Sequence, residues 1–222
     1  QTAFLGDAIL TLPMIEKLNS QHDVFLIDVV CIPSTKEVFE NSPFVSKSII
    51  LRKRAEHKSL WGLIKFSRKL KKNNYDAVIS PHRSFRTSLL VALLRIKNSV
   101  GFDTASLKFV YRKVVEYRGD IHEVHRNLLL VEKNIEGDEW KIFPQLDIQD
   151  VVKEKVDKYL TDNSFNDFIT IAPGSVWQTK QYPLDYFIEV INNLIDSYSS
   201  EFDYNNDETA IILAAGHGKR IK

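Results

Sequence analysis

Short apolar runs alternate with amphipathic stretches along most of this chain. Runs at residues 24–31, 48–51, 76–80, 98–101, 168–172 and 210–214 have the length and β-branched content of buried strands. Stretches at 8–20, 35–41, 60–72, 85–95, 122–135, 150–162 and 184–199 place apolar residues at helical spacing. Strands that alternate with helices of this length predict βαβ units and parallel sheets, hence an α/β fold. A break is expected between Gly137 and Asp150, where Gly-Asp-Glu-Trp and Phe143-Pro144 precede a charged helix. The expected division is residues 1–148 and 149–222. Gln1-Thr2-Ala3-Phe4 reads as the end of a strand, and the chain is expected to be a piece of a longer protein.

One junction is rich in chemistry. The run 168–172 leads into Pro173-Gly174-Ser175-Val176-Trp177-Gln178-Thr179-Lys180-Gln181-Tyr182-Pro183, and a helix pattern follows. Open α/β sheets bind ligands at the carboxyl ends of their strands. Free backbone N–H groups at a helix start favour phosphate. Lys180 adds a point charge there, and Ser175 and Thr179 add hydroxyl donors. An ordinary surface loop fits the same residues.

A second junction is Leu5-Gly6-Asp7-Ala8-Ile9-Leu10-Thr11-Leu12-Pro13. Asp7 sits at a strand-to-helix turn facing the expected cleft. It suits a general base, and equally a carboxylate that caps a helix and complements its dipole. His82, Arg83 and Arg86 follow the strand at 76–80 and so fall at the same kind of edge. Arginine forks match carboxylate and phosphate, though such residues can also coat the next helix. His122 and Arg126 are four apart and share a helix face, either lining a cleft or tying the helix to the sheet.

Charge sharpens the picture. The net charge is +1, yet residues 1–100 hold 16 Lys and Arg against 8 Asp and Glu. Between Arg52 and Lys72 nine basic residues face one acid, Glu56. Such a half suits an anionic partner: a phosphorylated glycolipid, membrane headgroups or nucleic acid. The basic, amphipathic stretch 60–70 either packs its apolar face on the sheet or lies on an anionic membrane; packing is the expectation, with the basic face left outward. A single cysteine, Cys31, excludes an internal disulfide and a multi-cysteine metal site. No apolar run reaches the length of a membrane span and no signal peptide is visible, so a cytoplasmic location is expected.

The two junctions together resemble glycosyltransferase family 9, the lipopolysaccharide heptosyltransferases of GT-B fold. The carrying elements are Gly6-Asp7 with Pro13, and Pro173-Gly174-Ser175 with Lys180, Tyr182 and Pro183. Three segments between them add to the likeness: residues 82–87, 100–103 and 122–127. The resemblance spans roughly residues 1–200. It implies a Rossmann-like acceptor domain followed by the start of a second, incomplete nucleotide-sugar domain. It implies transfer of a heptose or related sugar from a nucleotide-sugar, ADP-heptose in the first place, to a lipopolysaccharide core acceptor, with inversion. Asp7 is then the base, and Ser175, Thr179 and Lys180 hold the donor phosphates. His82, Arg83, Arg86, His122 and Arg126 are acceptor candidates. No Asp-x-Asp pair or ligand cluster is present, so neither metal nor cofactor is expected. The expected partners are the sugar nucleotide and an anionic glycolipid, with peripheral contact at the inner face of the inner membrane, and no nucleic acid. The family's later Asp-x-Gly-x-x-His donor motif is absent.

Two rival readings stand beside this one. Ile211-Ile212-Leu213-Ala214-Ala215-Gly216-His217-Gly218-Lys219-Arg220 resembles the opening signature of sugar-1-phosphate nucleotidyltransferases, which implies a bifunctional parent, with a Mg²⁺ requirement and pyrophosphate release as the marks of that activity. The basic first half alone would suit a non-catalytic module that binds anionic glycans or membrane surfaces.

Overall fold

A computed structural model describes residues 4–21, 26–165, 167–171, 181–201 and 209–213. The chain divides into two compact units, residues 1–148 and 149–222.

The first unit opens with α1 (Leu5–Ile9) and α2 (Leu12–Ser20), where the sequence pattern suggested one helix. Pro13 causes the break. It has no N–H to give to the Ile9 carbonyl, so the helix restarts with Pro13 in its first turn. β1 (Asp28–Cys31) pairs in parallel with β2 (Lys47–Ile50), from Asp28 opposite Lys47 to Cys31 opposite Ile50. Between them lie a 3₁₀ turn, Pro33–Thr35, and α3 (Lys36–Glu40). α4 (Leu60–Lys71) leads to β3 (Ala77–Ser80), and α5 (Phe85–Leu94) to β4 (Asn98–Phe102). A further strand, β5 (Lys113–Val115), completes a second parallel sheet in the order β3-β4-β5. β5 is too short to stand out as an apolar run. α6 (Glu123–Leu128) is shorter than the 122–135 pattern. Beyond it the chain tightens, with Leu130 N–H donating to Asn127 O and Val131 N–H to Leu128 O, and it sends Leu130 into the core.

Both sheets share one core face. Val29 and Cys31 of β1 meet Leu12, Ile15, Phe39, Phe102 and Leu130 there, with Ile79 and Val100 packed alongside. Val30 and Ile49 point the other way, onto Leu51, Leu63, Phe66, Leu70, Leu90 and Leu94. This is the two-residue alternation of strands covered by helices on both faces. Each fully buried side chain of this kind contributes about 1.5–3 kcal/mol. Burial also pushes the Cys31 thiol up, as befits a structural rather than a reactive cysteine. β1 and β3 belong to separate sheets, and a cavity of about 190 Å³ lies between them. At one side of it the Tyr75 hydroxyl donates to Asp28 Oδ2 at 2.5 Å.

The second unit comprises α7 (Asp150–Asp162), β6 (Asp167–Ile171), α8 (Leu184–Glu201) and β7 (Thr209–Leu213). β6 and β7 pair in parallel from Asp167 opposite Thr209 to Ile171 opposite Leu213, which makes β6-α8-β7 a βαβ unit. The strand-to-helix junction expected at 173–183 is therefore framed by β6 and α8. Ser175, Thr179 and Lys180 themselves lie outside the described residues, as does the glycine-rich tail 214–222.

Candidate functional site

The carboxyl end of β3 supplies the densest cluster of candidate groups. Ser80 ends the strand and donates through Oγ to His82 O at 3.0 Å. Ser84 caps α5, accepting from Thr87 N–H at 3.4 Å. His82 Nδ1 lies 2.8 Å from Thr87 Oγ1 and 3.1 Å from Ser84 Oγ. Burial pushes His82 down to about 4, and the charges of Lys53 and Arg83 push the same way. His82 is thus neutral near pH 7, a hydrogen-bonding group rather than a cation. His82 is an acceptor candidate in sequence alongside Arg83 and Arg86; its half-buried position at the cap sets it apart from the exposed Arg83.

Arg83 is exposed, and its guanidinium carbon sits 3.8 Å from the Tyr117 ring centroid. Nη1 donates to Thr104 Oγ1 at 3.4 Å, and the backbone is held by Ser106 N–H donating to Arg83 O at 3.0 Å. Arg83 therefore presents an oriented cation at the edge. Arg86 is differently engaged. It donates to His57 O at 2.5 Å and to Lys58 O at 3.0 Å, tying the 52–58 loop to α5. Gly62 fixes the same loop from α4, since a Cβ there would sit 2.1 Å from Glu56 O. Lys53 stands in this loop, pushed down by burial and by Arg86 and Arg54.

Arg126 is buried at 6% exposure. Its guanidinium donates to Arg118 O at 2.7 Å, Ile121 O at 2.7 Å, the Tyr117 hydroxyl at 2.6 Å and Glu123 Oε2 at 2.5 Å. It also lies 4.3 Å from the Tyr117 ring centroid. Of the two roles open for this residue, the geometry is that of a tie between α6 and the segment after β5. His122 caps α6, Nδ1 accepting from Val124 N–H at 3.3 Å, and its ring packs on Trp140 at 5.1 Å.

Asp7 occupies the third position of α1, and its Oδ2 accepts from Phe4 N–H at 3.4 Å. That is the capping geometry, and a long hydrogen bond leaves the carboxylate able to take a second partner. α1 packs beside the turn Pro33–Thr35, at the carboxyl end of β1. Asn127, fully buried, donates to Leu10 O at 3.1 Å and fixes the helix junction that follows Asp7. Thr11 donates to Asp7 O at 2.6 Å, and Thr11 lines the cavity that His82 and Thr87 also line. The structure thus brings His82 to Thr87 and Ser84, and Arg83 and Arg126 to Tyr117. Thr87, Tyr117 and Asn127 were missed in sequence, because only the folded contacts give them a place in the site.

Parallel α/β units with polar groups gathered at strand carboxyl ends define a protein of the Rossmann-like α/β class. The profile of glycosyltransferase family 9 (heptosyltransferase) matches residues 63–199, more than half of the chain, and the chain belongs to that family. The fold is similar to that of a family 9 glycosyl transferase from Veillonella parvula DSM 2008, with a TM-score of 0.78 and 21% identity over 99% of this chain and 69% of the other. It is similar to E. coli ADP-heptose lps heptosyltransferase II, with a TM-score of 0.69 and 16% identity over 94% of this chain and 61% of the other. It is also similar to E. coli heptosyltransferase WaaC with ADP, with a TM-score of 0.61 and 20% identity over 88% and 63%. The chain thus spans between 61% and 69% of those three proteins. A search of curated proteins found no match.

Proposed function

We propose that this chain is the acceptor-side part, with the start of the donor-side part, of an inverting glycosyltransferase that moves a heptose from ADP-heptose to a lipopolysaccharide core acceptor. The observation that carries the reading is the family match across both units, 63–199, on a fold shared with a heptosyltransferase bound to ADP. In the proposed reaction the Asp7 carboxylate takes the proton of the acceptor hydroxyl. The acceptor oxygen forms a bond to the anomeric carbon from the face opposite the diphosphate. The anomeric C–O bond breaks, and its electron pair leaves with ADP. The charge that grows on the leaving oxygen is what a fixed ammonium, Lys180, stabilises more in the transition state than before it. Ser175 and Thr179 add donors to the same phosphates. Arg83 meets the acidic groups of the acceptor, and neutral His82 with Thr87 contributes hydrogen bonds rather than charge.

No metal enters this scheme. The acceptor being a membrane glycolipid, the enzyme works from the cytoplasmic side, at the membrane surface. The test uses the full-length parent with ADP-heptose and a truncated core acceptor, read by mass spectrometry. One heptose added with stoichiometric ADP release, undiminished by EDTA, supports the reading. No transfer from ADP-heptose, with transfer from another sugar nucleotide, would retain the class and overturn the donor. Release of pyrophosphate from a nucleoside triphosphate and sugar 1-phosphate would instead support the nucleotidyltransferase reading of the tail.

A further inference from the structure

The outward side of α4 is built differently from a simple solvated helix face. Leu63, Phe66, Ser67 and Leu70 are buried against the sheet. On the opposite side Trp61, Lys65, Arg68 and Lys72 are all exposed, at spacings of four, three and four, so they form one stripe along the helix. Lys58, Lys69 and Lys71 are exposed beside it. Neither α4 nor α5 contains an acidic residue. Glu56, the acid between Arg52 and Lys72, is paired with Arg52 at 3.9 Å.

The apolar groups at the start of the stripe are equally unusual. Leu60 is 58% exposed, Trp61 76% and Phe85 57%. Leu60 and Trp61 open α4, and Phe85 opens α5. The two helices pack against each other, and Arg86 binds the carbonyls of His57 and Lys58, so the two helix starts are joined. Three large apolar side chains therefore stand at joined helix starts, Phe85 two residues along the chain from Arg83, with a basic stripe running away from them.

We infer that this face, Leu60, Trp61 and Phe85 with Lys58, Lys65, Arg68 and Lys72, docks on the surface of an anionic lipid bilayer. The inference rests on the membrane part of the proposed function and names the surface that performs it. Charge complementarity selects the occupant: clusters of four to eight Lys and Arg draw anionic headgroups, each adding about 1 kcal/mol. Tryptophan at the edge of such a cluster has the amphipathic ring that settles at the headgroup level. Among the described residues no helix is long and apolar enough to cross a membrane. Docking by this face would place the edge bearing Arg83 next to the headgroups from which a glycolipid acceptor extends.

The test is co-sedimentation of the 222-residue chain with vesicles of phosphatidylcholine alone or with one third phosphatidylglycerol. Binding is expected to the anionic vesicles only, and to fall steeply as salt rises. Lys65→Glu with Arg68→Glu and Lys72→Glu should lower partitioning at least about 100-fold, given three charges at the surface. Lys17→Glu with Lys36→Glu and Lys133→Glu makes the same change in net charge and should leave partitioning within about threefold, since α2, α3 and the turn after α6 cover the other face of the sheets. With Trp140 and Trp177 replaced by Phe, Trp61 should be quenched by brominated lipid. Equal losses from both triple variants, no quenching of Trp61, or binding to heparin without binding to vesicles would each overturn the proposal. Transfer to a detergent-dispersed acceptor by the parent carrying the α4 triple variant separates the two readings. Retained transfer with lost vesicle binding is expected, whereas no transfer by the unsubstituted parent would count against the enzyme and not against the docking face.

Discussion

The Arg83 guanidinium rests on the face of Tyr117, 3.8 Å from the ring centroid, while Arg126 donates to the hydroxyl of the same tyrosine at 2.6 Å. One ring thus orients an exposed arginine and is itself held by a buried one. An arginine stacked in this way loses less freedom when it binds an anion. Arg83→Ala in the full-length enzyme should raise acceptor KM at least about tenfold, equivalent to one charge-assisted contact, and leave donor KM within about twofold. Tyr117→Leu should reproduce part of the acceptor effect. Steady-state kinetics with each substrate varied in turn checks this, and equal changes in both KM values would mean that Arg83 shapes the cleft.

Arg126 predicts a stability effect instead. Replacing it by Met leaves the Arg118 and Ile121 carbonyls and the Tyr117 hydroxyl without this donor, and Glu123 without its pair. Three acceptors that lose their donor, at about 1–3 kcal/mol each where buried, make a total loss of about 3–5 kcal/mol the expectation. Glu123→Gln should cost less, on the order of 1 kcal/mol, because Arg126 keeps the Arg118 and Ile121 carbonyls and the Tyr117 hydroxyl as acceptors. Urea denaturation of the two variants would show the asymmetry.

His82 gives a pH signature. Its folded value is held down to about 4, mainly by burial. Folding thus favours the neutral ring. The contribution is complete above the unfolded value of about 6.5 and is lost as pH falls from there toward the folded value. Stability should decline over that window, and His82→Gln should flatten the decline. NMR titration of the ring is the direct check, and a value at or above 6 would contradict the assignment of a neutral hydrogen-bonding role.

The parallel α/β class was legible in the sequence because the strands are covered on both faces and so read as unbroken apolar runs. Element edges drifted where a local residue overruled the pattern. Pro13 split the first helix, and the turn after Leu128 ended α6 early because its apolar residues enter the core rather than continue one face. β5 carried no signal, since three residues that alternate in burial look like loop. At the site, residue types could be read but not their commitments. Arg83, Arg86 and Arg126 look alike in sequence, and only the fold shows that one is offered at the edge while two are spent on carbonyls. His82 stands beside Arg83 and Arg86 in the motif, and its partial burial, which keeps it neutral, is not visible there.

The most direct test of the account is Asp7→Asn in the full-length parent. The substitution keeps the shape and can still receive Phe4 N–H, so the cap survives and only the base is lost. Single-turnover measurement of ADP release, with donor affinity measured separately by calorimetry, resolves the two roles. The account predicts a fall in kcat of at least about 100-fold, the low end for a general base, with donor Kd nearly unchanged. A kcat within about threefold of the unsubstituted enzyme, below what loss of a general base allows, would show that Asp7 only caps α1 and that the proposed chemistry at this edge is wrong.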